Sequence, residues 1–169
     1  MKLSKILLWM APAIFLFISI SCEKEIKPVP INYGQDECAY CRMKITDPRY
    51  GSEILLKTGK AYKFDSIECL AAFYIENKEK MKINSLWVPD FISKKFIPAE
   101  KALYLHSDNL PSPMGMNLTA FEKKEELEKM KEKYGGEVLN WNQVVDLVKK
   151  EWIQKKHKMK MHNHNHMNM

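Results

Sequence analysis

The fold is predicted most directly by residues 51–77, which read GSEILLKTGKAYKFDSIECLAAFYIEN. Residues 51–57 and 60–64 are short runs with the composition of strands, and Thr58-Gly59 lies between them. Two such runs joined by a short glycine-containing link are typical of a β-hairpin. The stretch therefore begins with a predicted pair of antiparallel strands.

A helix is predicted directly after this hairpin. Asp65 is the candidate N-cap, and Glu68 three residues later completes the pattern of a capping box. Apolar residues then recur at helical spacing over residues 66–77. A short strand over residues 83–88 follows and is stopped by Pro89. The predicted order of this unit is strand, strand, helix, strand.

The same order of elements is predicted again further along the chain. Residues 101–106 form a strand, a turn at Ser112-Pro113 follows, and residues 114–118 form the partner strand. A helix then ends at Gly135-Gly136, and residues 137–141 form the last strand. Both runs of elements are therefore predicted to be ββαβ units.

The predicted fold class is α+β, with two small ββαβ units in tandem. They form one domain over residues 34–154, divided at about residues 34–92 and 93–154. A final helix closes the second unit, because apolar residues again fall at helical spacing. These apolar residues are Val144, Leu147, Val148 and Trp152.

The start of the chain has the pattern of a lipoprotein export signal. Lys2 and Lys5 precede an apolar run over residues 6–20, and a small residue then stands before Cys22. Such a cysteine is the lipidation site of bacterial lipoproteins, although Ser19 occupies a position where an aliphatic residue is usual. An uncleaved anchor helix is the alternative.

Both interpretations place the rest of the chain outside the cytoplasm. Residues 1–21 are then the signal peptide and residues 22–33 a lipidated tether. The protein is expected in the cell envelope, lipid-anchored to a bacterial membrane and facing the periplasm or the exterior. The net charge is +6, but lysines are interleaved with glutamates through most of the chain, as on an ordinary solvated surface. No basic-aromatic motif is present. Nucleic-acid binding is therefore not expected.

The chemistry is concentrated in residues 38–43, which read CAYCRM. Two cysteines at this spacing suit zinc or a redox disulfide. Met43 favours cuprous copper, because a thioether is a good ligand for Cu(I) and a poor one for hard ions. If residues 41–43 are extended, Cys41 and Met43 point to the same side, with Cys38 nearby.

Other sulfur and imidazole side chains are weaker candidates. Met114-Gly115-Met116 repeats the spacing of Cys41 and Met43, and it suits either copper ligands or two core methionines. Cys69 lies among apolar residues on the predicted helix, which favours a buried core residue over a ligand. His106, at the end of a strand, is more typical of a surface or core histidine.

The C-terminal tail, residues 155–169, is predicted to be disordered because it lacks bulky core-forming residues. Imidazole suits Cu(II) and thioether suits Cu(I), so the tail is a candidate auxiliary metal site; a polar terminus of biased composition is the alternative. Its candidate ligands are His157, His162, His164 and His166 with Met159, Met161, Met167 and Met169.

Two other uses of Cys38 and Cys41 stay open. A thioredoxin-like pair would sit at a strand-to-helix turn, whereas this pair follows a proline-containing tether. A structural zinc site would need two further ligands, and the ordered part offers Cys69 and His106. No nucleophile-and-base arrangement is visible, so the protein is not expected to be an enzyme.

Several of these stretches together resemble the NosL family of copper-binding accessory lipoproteins of nitrous oxide reductase. They are the lipoprotein-like start, the CxxCxM motif followed by Ile45, the sequence FDSIEC at residues 64–69 and the sequence SPMG at residues 112–115. The resemblance covers most of residues 36–142 and implies a fold of two ββαβ units. It also implies Cu(I) delivery to the reductase's copper–sulfur centre with a membrane ABC-type assembly complex.

By this resemblance, Cys41 and Met43 are Cu(I) ligands, Cys38 is a third candidate, and Met114 supplies a thioether from the second unit. Met116 matches less closely. Arg42 stands where the family commonly has glycine, which bears on the ligand geometry. Related proteins also occur outside denitrification gene sets, so the implied recipient is nitrous oxide reductase or a related cuproenzyme. The alternatives are a thiol–disulfide oxidoreductase and a copper buffer or resistance lipoprotein.

Overall fold

The computed structural model describes residues 27–155. The predicted signal peptide, the lipidation site Cys22 and all the candidate ligands of the tail lie outside this range. None of the helices within it has the length and apolar character that crossing a bilayer requires.

Two antiparallel sheets and three α-helices make up the described part of the chain. In chain order the elements are β1 (Ser52–Leu56), β2 (Ala61–Phe64), α1 (Ile67–Asn77), β3 (Ile83–Pro89), β4 (Phe96–Pro98), β5 (Leu103–His106), β6 (Leu118–Phe121), α2 (Lys124–Tyr134), β7 (Glu137–Leu139) and α3 (Trp141–Val148). A 3-10 turn, Ala99–Lys101, precedes β5, and a π-helical segment, Lys149–Gln154, extends α3.

The two sheets are built in the same way. The first has the strand order β2-β1-β3-β4 and the second β6-β5-β7, so the first strand of each unit lies between the second and the third. In each unit the helix connects the second strand to the third. The predicted α+β fold of two ββαβ units is confirmed, and β4 is an addition to the first.

Apolar side chains fix the register of the first sheet. Ile54 in β1 lies opposite Tyr62 in β2 and Leu86 in β3. The hairpin turns at Gly59, whose φ of +86° is a left-handed conformation that glycine adopts without a steric penalty. A slip by one residue would turn Ile54, which is fully buried, toward the other face of the sheet.

One hydrophobic core joins the two units. It contains Ile54 and Leu70 from the first unit together with Tyr104 and Trp141 from the second. Trp141, at the start of α3, contacts the ring of Tyr74 on α1 at 5.8 Å between centroids. A second, smaller core lies between the other face of the second sheet and α2. Helices α1 and α3 therefore pack against each other, and both contribute side chains to the main core.

Two local predictions are wrong. Residues 114–118 do not form the partner strand, because the chain turns between Ser112 and Asn117 and the strand is β6. The Asn117 amide donates to Ser112 Oγ at 2.8 Å, which closes this loop on itself. The N-cap of α1 is Ser66, one residue later than predicted, and its Oγ accepts from the Cys69 amide.

Residues 28–31, assigned to the tether from sequence, lie against the first sheet. The Val29 amide donates to both carboxylate oxygens of Glu53 at 3.0 and 3.1 Å, and Ile31 joins the main core. Burial raises the pKa of Glu53. The chain therefore contacts the first sheet before residue 34, the predicted start of the domain.

Gly136 should be the glycine least tolerant of substitution. It has a φ of +107°, and an added Cβ would collide with the carbonyl oxygen of His106 and with Ser107. We expect Gly136→Ala to lower the free energy of unfolding by about 2 kcal/mol or more, because conformational strain and a backbone clash combine. Urea denaturation measures this. The control is Gly59→Ala, where a Cβ meets open space and strain alone should cost about 1 kcal/mol; equal losses would contradict the clash.

Candidate metal centre

The CxxCxM motif forms a tight loop before the first sheet. An isolated antiparallel bridge between Glu37 and Lys44 closes the loop at its base. Inside it, the Cys38 amide donates to the Met43 carbonyl at 2.8 Å, and the Arg42 amide donates to the Cys38 carbonyl at 3.0 Å. These bonds hold Cys38 and Cys41 in one turn.

The backbone conformation of Arg42 explains why glycine suits this position. Its φ is +68°, in the left-handed region that costs a residue with a side chain about 1 kcal/mol or more. Residues 41–43 are therefore not extended, and the expectation that Cys41 and Met43 share a side by strand alternation does not apply. Glycine would adopt the same backbone conformation without this cost.

Hydrogen bonds dock the loop against the end of β2. The Ala39 amide donates to the Lys63 carbonyl at 2.8 Å, and Lys63 Nζ lies 2.7 Å from Asp36 Oδ2. Because β2 is followed directly by α1, this contact brings Cys38 to the N-terminus of that helix.

Three thiols and a carboxyl group meet at this junction. The Sγ atoms of Cys38, Cys41 and Cys69 and a carboxylate oxygen of Asp65 lie within 4.8 Å of one another. All three cysteines are free thiols. Among the described residues, Asp65 Oδ1 is buried without a hydrogen-bond partner, so its acceptor capacity is unused. We refer to these four residues as the cysteine cluster.

Electrostatics separate the three thiols. The pKa of Cys38 is lowered to about 6, mainly because the Cys69 thiol donates a hydrogen bond to Cys38 Sγ. Burial acts in the opposite direction. Backbone amides, including that of Cys41, lower the pKa further. The same hydrogen bond and burial raise the pKa of Cys69. Burial raises the pKa of Cys41 to about 12. The Cys38 thiol therefore ionises most readily of the three, and the thiols that stay protonated would release their protons on binding a metal.

The cluster opens to solvent on one side. Cys38 and Cys69 are fully buried, whereas Cys41 is half-buried. Met43, two residues beyond Cys41, is 52% exposed and is one of the few large apolar side chains on the surface of the described residues. A ligand from outside could therefore reach Cys41 before it reaches the other two thiols.

The match of a family model decides which proteins this chain is related to. The NosL model matches residues 28–148, which include the cysteine cluster and both sheets. The chain belongs to the NosL family. Among solved structures, it is similar to the copper chaperone NosL from Shewanella denitrificans, with a TM-score of 0.61 and 24% identity. The match covers 69% of this chain and 95% of that one, and it shows the same fold. No curated protein matches the chain.

In this member of the NosL family, a buried carboxyl group links the cluster to the methionine loop, residues 112–117. Glu68 stands directly before Cys69 and is fully buried. Its Oε1 accepts hydrogen bonds from Ser112 Oγ and, at 3.3 Å, from the Met116 amide. Met114 and Met116 are half-buried and pack against the core that contains Cys38 and Cys69. Glu68 therefore fixes where this loop lies relative to the cluster.

The structure brings some predicted site residues together and leaves others apart. Cys38 and Cys41 lie in the cluster, Met43 is an exposed residue two positions beyond Cys41, and Met114 and Met116 lie in a loop that is hydrogen-bonded to Glu68. His106 is not part of the cluster: it lines a separate surface groove of about 360 Å³ beside Tyr134 and Gly136.

Sequence reasoning missed the role of two residues. Cys69 was weighed as a core residue, and it is both buried and one of the clustered thiols. Asp65 was assigned to the helix cap, and it contributes the only carboxyl oxygen of the cluster among the described residues. The one signal in the sequence was a cysteine four residues after the candidate cap Asp65, where its side chain lies in the first turn of the helix.

Removing the Glu68 carboxyl group should free the methionine loop. We expect Glu68→Ala to cost about 1–3 kcal/mol of stability, because Ser112 and the Met116 amide lose their acceptor. Amide hydrogen exchange at Met116 and Asn117 should accelerate. Glu68→Gln retains an acceptor oxygen and should stay within about 1 kcal/mol of the wild type. Unchanged exchange in Glu68→Ala would contradict the link.

The same pair of variants tests the protonation of Glu68. Burial raises the pKa of Glu68, so the folded state favours the protonated carboxyl group. This contribution to stability is fully present below the pKa of the unfolded chain and is lost as pH rises through the folded-state value. Urea denaturation at several pH values should show this loss in the wild type and not in Glu68→Gln.

Proposed function

We propose that this protein is an exported, membrane-tethered Cu(I)-binding chaperone without catalytic activity of its own. The observation that carries the proposal is the convergence of three free thiols and one carboxyl oxygen within 4.8 Å. Thiolates are soft ligands and favour Cu(I). Membership of the NosL family, and the likeness to a protein described as a copper chaperone, support the same metal.

Binding would use the existing charge distribution of the cluster. Cu(I) would first meet the half-buried Cys41, close to the exposed Met43, and would then be held by the buried thiolate of Cys38. Protons leave Cys41 or Cys69 as these thiols become ligands. Met114 is proposed as a thioether ligand from the second unit, because its loop is fixed to the residue before Cys69.

Release would reverse this order at the exposed side. Thioether bonds to Cu(I) are labile, so a partner's ligands can replace Met43 and then Cys41 one at a time. Cys38 and Cys69 are shielded from such an attack until the outer bonds are broken, since both are fully buried. The arrangement suits transfer by stepwise ligand exchange.

The recipient and the location are part of the proposal. By its family, the chain would deliver copper for maturation of nitrous oxide reductase or a related cuproenzyme, together with a membrane ABC-type assembly complex. Lipidation at Cys22 would hold it on a bacterial membrane facing the periplasm or the exterior. The recipient rests on the resemblance of the sequence to the family. The lipidation rests on the sequence pattern around Cys22, which lies outside residues 27–155.

The geometry disfavours a thiol–disulfide oxidoreductase. The attacking cysteine of such an enzyme is an accessible thiolate. Here the thiolate belongs to Cys38, which is fully buried, and the accessible Cys41 has a raised pKa. Neither cysteine combines both properties.

Zinc is the metal that competes most closely with copper. Three sulfurs and one carboxylate oxygen are a donor set that Zn²⁺ accepts with tetrahedral geometry. A thioether is a poor ligand for Zn²⁺ and a good one for Cu(I), so Met43 and Met114 would strengthen the binding of Cu(I) and not of Zn²⁺. Substitution of these methionines therefore distinguishes the two metals.

Anaerobic competition for Cu(I) against a coloured chelator tests the function, using the chain truncated before Lys155. The wild type should take one Cu(I) tightly. Cys38→Ser, Cys41→Ser and Cys69→Ser should each lose affinity on the order of 100-fold or more, since even loss of an outer-shell partner costs 10–100-fold. Met43→Leu and Met114→Leu should weaken Cu(I) binding and leave Zn²⁺ binding unchanged.

The matched control is Met130→Leu, a methionine that packs against the second core on α2. It should bind Cu(I) like the wild type. A wild type that ignores Cu(I), or that binds Zn²⁺ with higher affinity in direct competition, would overturn the proposal. Insulin reduction that depends on Cys38 and is indifferent to Met43→Leu would support the redox alternative.

A further inference from the structure

An open groove lined by lysines lies at the C-terminal end of α1, away from the cysteine cluster. It has a volume of about 420 Å³, and α1, the residue after β1, the start of β3 and the segment after β4 contribute to its walls. Its charged lining residues are Lys57, Lys78, Lys82 and Glu100. Because a helix rises about 1.5 Å per residue, Lys78 lies about 13 Å along the axis of α1 from Cys69. The groove is therefore a surface separate from the metal centre.

Local contacts hold the three lysines of the groove close together. The Lys57 amide donates to the Lys82 carbonyl at 2.9 Å, where β1 and β3 run side by side. Lys78 Nζ lies 5.6 Å from the centre of the Tyr74 ring, which also lines the groove. All three lysines are exposed, and none of the ion pairs among residues 27–155 involves them. Their charges are thus available to an anion from outside.

Positive charge dominates the two segments that carry these lysines. The turn of residues 57–60 and the connection of residues 78–82 together hold five lysines and one glutamate. Glu100 adds one negative charge to the lining. Helix α2 is a contrast, because its four lysines are balanced by four glutamates. The groove is therefore a local concentration of positive charge, which suits an anionic partner.

The N-terminal segment runs toward the end of the first sheet that carries the groove. Followed backward along the chain, the Ile31 side chain lies beside Gly51, and the Val29 amide then donates to the carboxylate of Glu53. Gly51 and Glu53 are two residues apart, so they lie on one face of the strand. The segment therefore follows β1 in the direction of Lys57.

An anchor at Cys22 would keep this end of the domain near a membrane. Cys22 is five residues before Lys27, where the described chain begins, and a chain spans at most about 3.6 Å per residue. A lipid on Cys22 would therefore hold Lys27 within about 18 Å of the bilayer. Anionic phospholipids present phosphate groups at that surface, and each lysine close to it strengthens association about fivefold.

We propose that the groove lined by Lys57, Lys78 and Lys82 binds the headgroups of anionic phospholipids in the membrane to which the chain is tethered. The inference rests on the proposed membrane tether and does not depend on the metal that the cysteine cluster binds. Headgroup binding orients the domain: the C-terminal end of α1 faces the bilayer, and its N-terminal end, with the cluster, faces away. Cys41 then stays accessible to a partner protein.

Acetylation of lysines in the full-length, anchored chain tests the groove. The protein is reconstituted in vesicles of phosphatidylglycerol with phosphatidylethanolamine, or of zwitterionic phosphatidylcholine alone, and mass spectrometry gives the acetylation rate of each lysine. The three groove lysines should react at least about tenfold more slowly in the anionic vesicles, because three contacts of about fivefold each favour the bound orientation. Lys124 and Lys129, on α2, should react at the same rate in both. Salt at 1 M, which shortens the screening length to about 3 Å, should abolish the difference.

A pair of variants separates the groove from the total charge of the protein. The groove variant carries Lys57→Gln, Lys78→Gln and Lys82→Gln. In it, the neighbouring Lys60 and Lys80 should lose their slower acetylation in anionic vesicles. The control variant removes the same charge from α2 with Lys124→Gln, Lys129→Gln and Lys133→Gln. It should keep the slower acetylation of Lys60 and Lys80, and equal loss in both variants would overturn the proposal.

The remaining outcomes distinguish failure of the groove from failure of the proposed function. Equal acetylation of the groove lysines in anionic and zwitterionic vesicles would overturn headgroup binding. Slow acetylation in detergent that depends on protein concentration would assign the groove to a second copy of the chain, and would overturn it as well. The groove variant should bind Cu(I) with the affinity of the wild type, so either result leaves the copper site intact. A chain that stays with neither kind of vesicle would overturn the membrane tether, and headgroup binding with it.

Discussion

A buried sulfur with a lowered pKa, that of Cys38 at the N-terminus of α1, is the constraint on which the site depends. The sulfur of Cys38 can only accept hydrogen bonds once ionised, and it lies out of water, so every donor must come from the protein. The Cys69 thiol and backbone amides of Cys41, Asp65 and Tyr40 provide them. The positive end of the α1 dipole favours the same charge. The loop of residues 37–44 and the junction between β2 and α1 therefore stabilise each other through this sulfur as well as through the hydrogen bond from Ala39 to Lys63.

This constraint also explains how the two units share one site. The thiols come from the first unit, but the first turn of α1 is buried beneath residues of the second, and Glu68 in that turn accepts hydrogen bonds from the loop of residues 112–117. Trp152, in the π-helical segment after α3, packs its ring against Tyr40. Each unit alone would leave part of the cluster's surroundings exposed. The duplicated ββαβ arrangement is thus used asymmetrically, because the first unit supplies the three thiols and the second supports them.

The sequence predicted what depends on local pattern. Strand composition, the glycine turn at Gly59 and helical spacing identified β1, β2 and α1, and similar signals identified β5, α2 and β7 but placed β6 too early in the chain. The pattern could not show which side chains of different segments meet. Cys69 looked apolar because its sequence neighbours are apolar, and only the docking of the Cys38 loop on Lys63 places the two thiols together. Asp65 and Ser66 are both good cap residues, and the local pattern could not show that Ser66 is the one that accepts from the Cys69 amide.

The gradient of exposure across the cluster has a physical consequence for metal exchange. A site made only of buried thiolates would hold Cu(I) tightly and release it slowly, since each bond must break before a competing ligand can enter. A site made only of exposed sulfurs would exchange quickly and would also be open to oxidation. Here Cys38 and Cys69 are buried, Cys41 is half-buried and Met43 is largely exposed. With the proposed ligand set, such an order would let the outermost bond be exchanged while the inner bonds still hold the metal, and the barrier to transfer would fall with little loss of affinity.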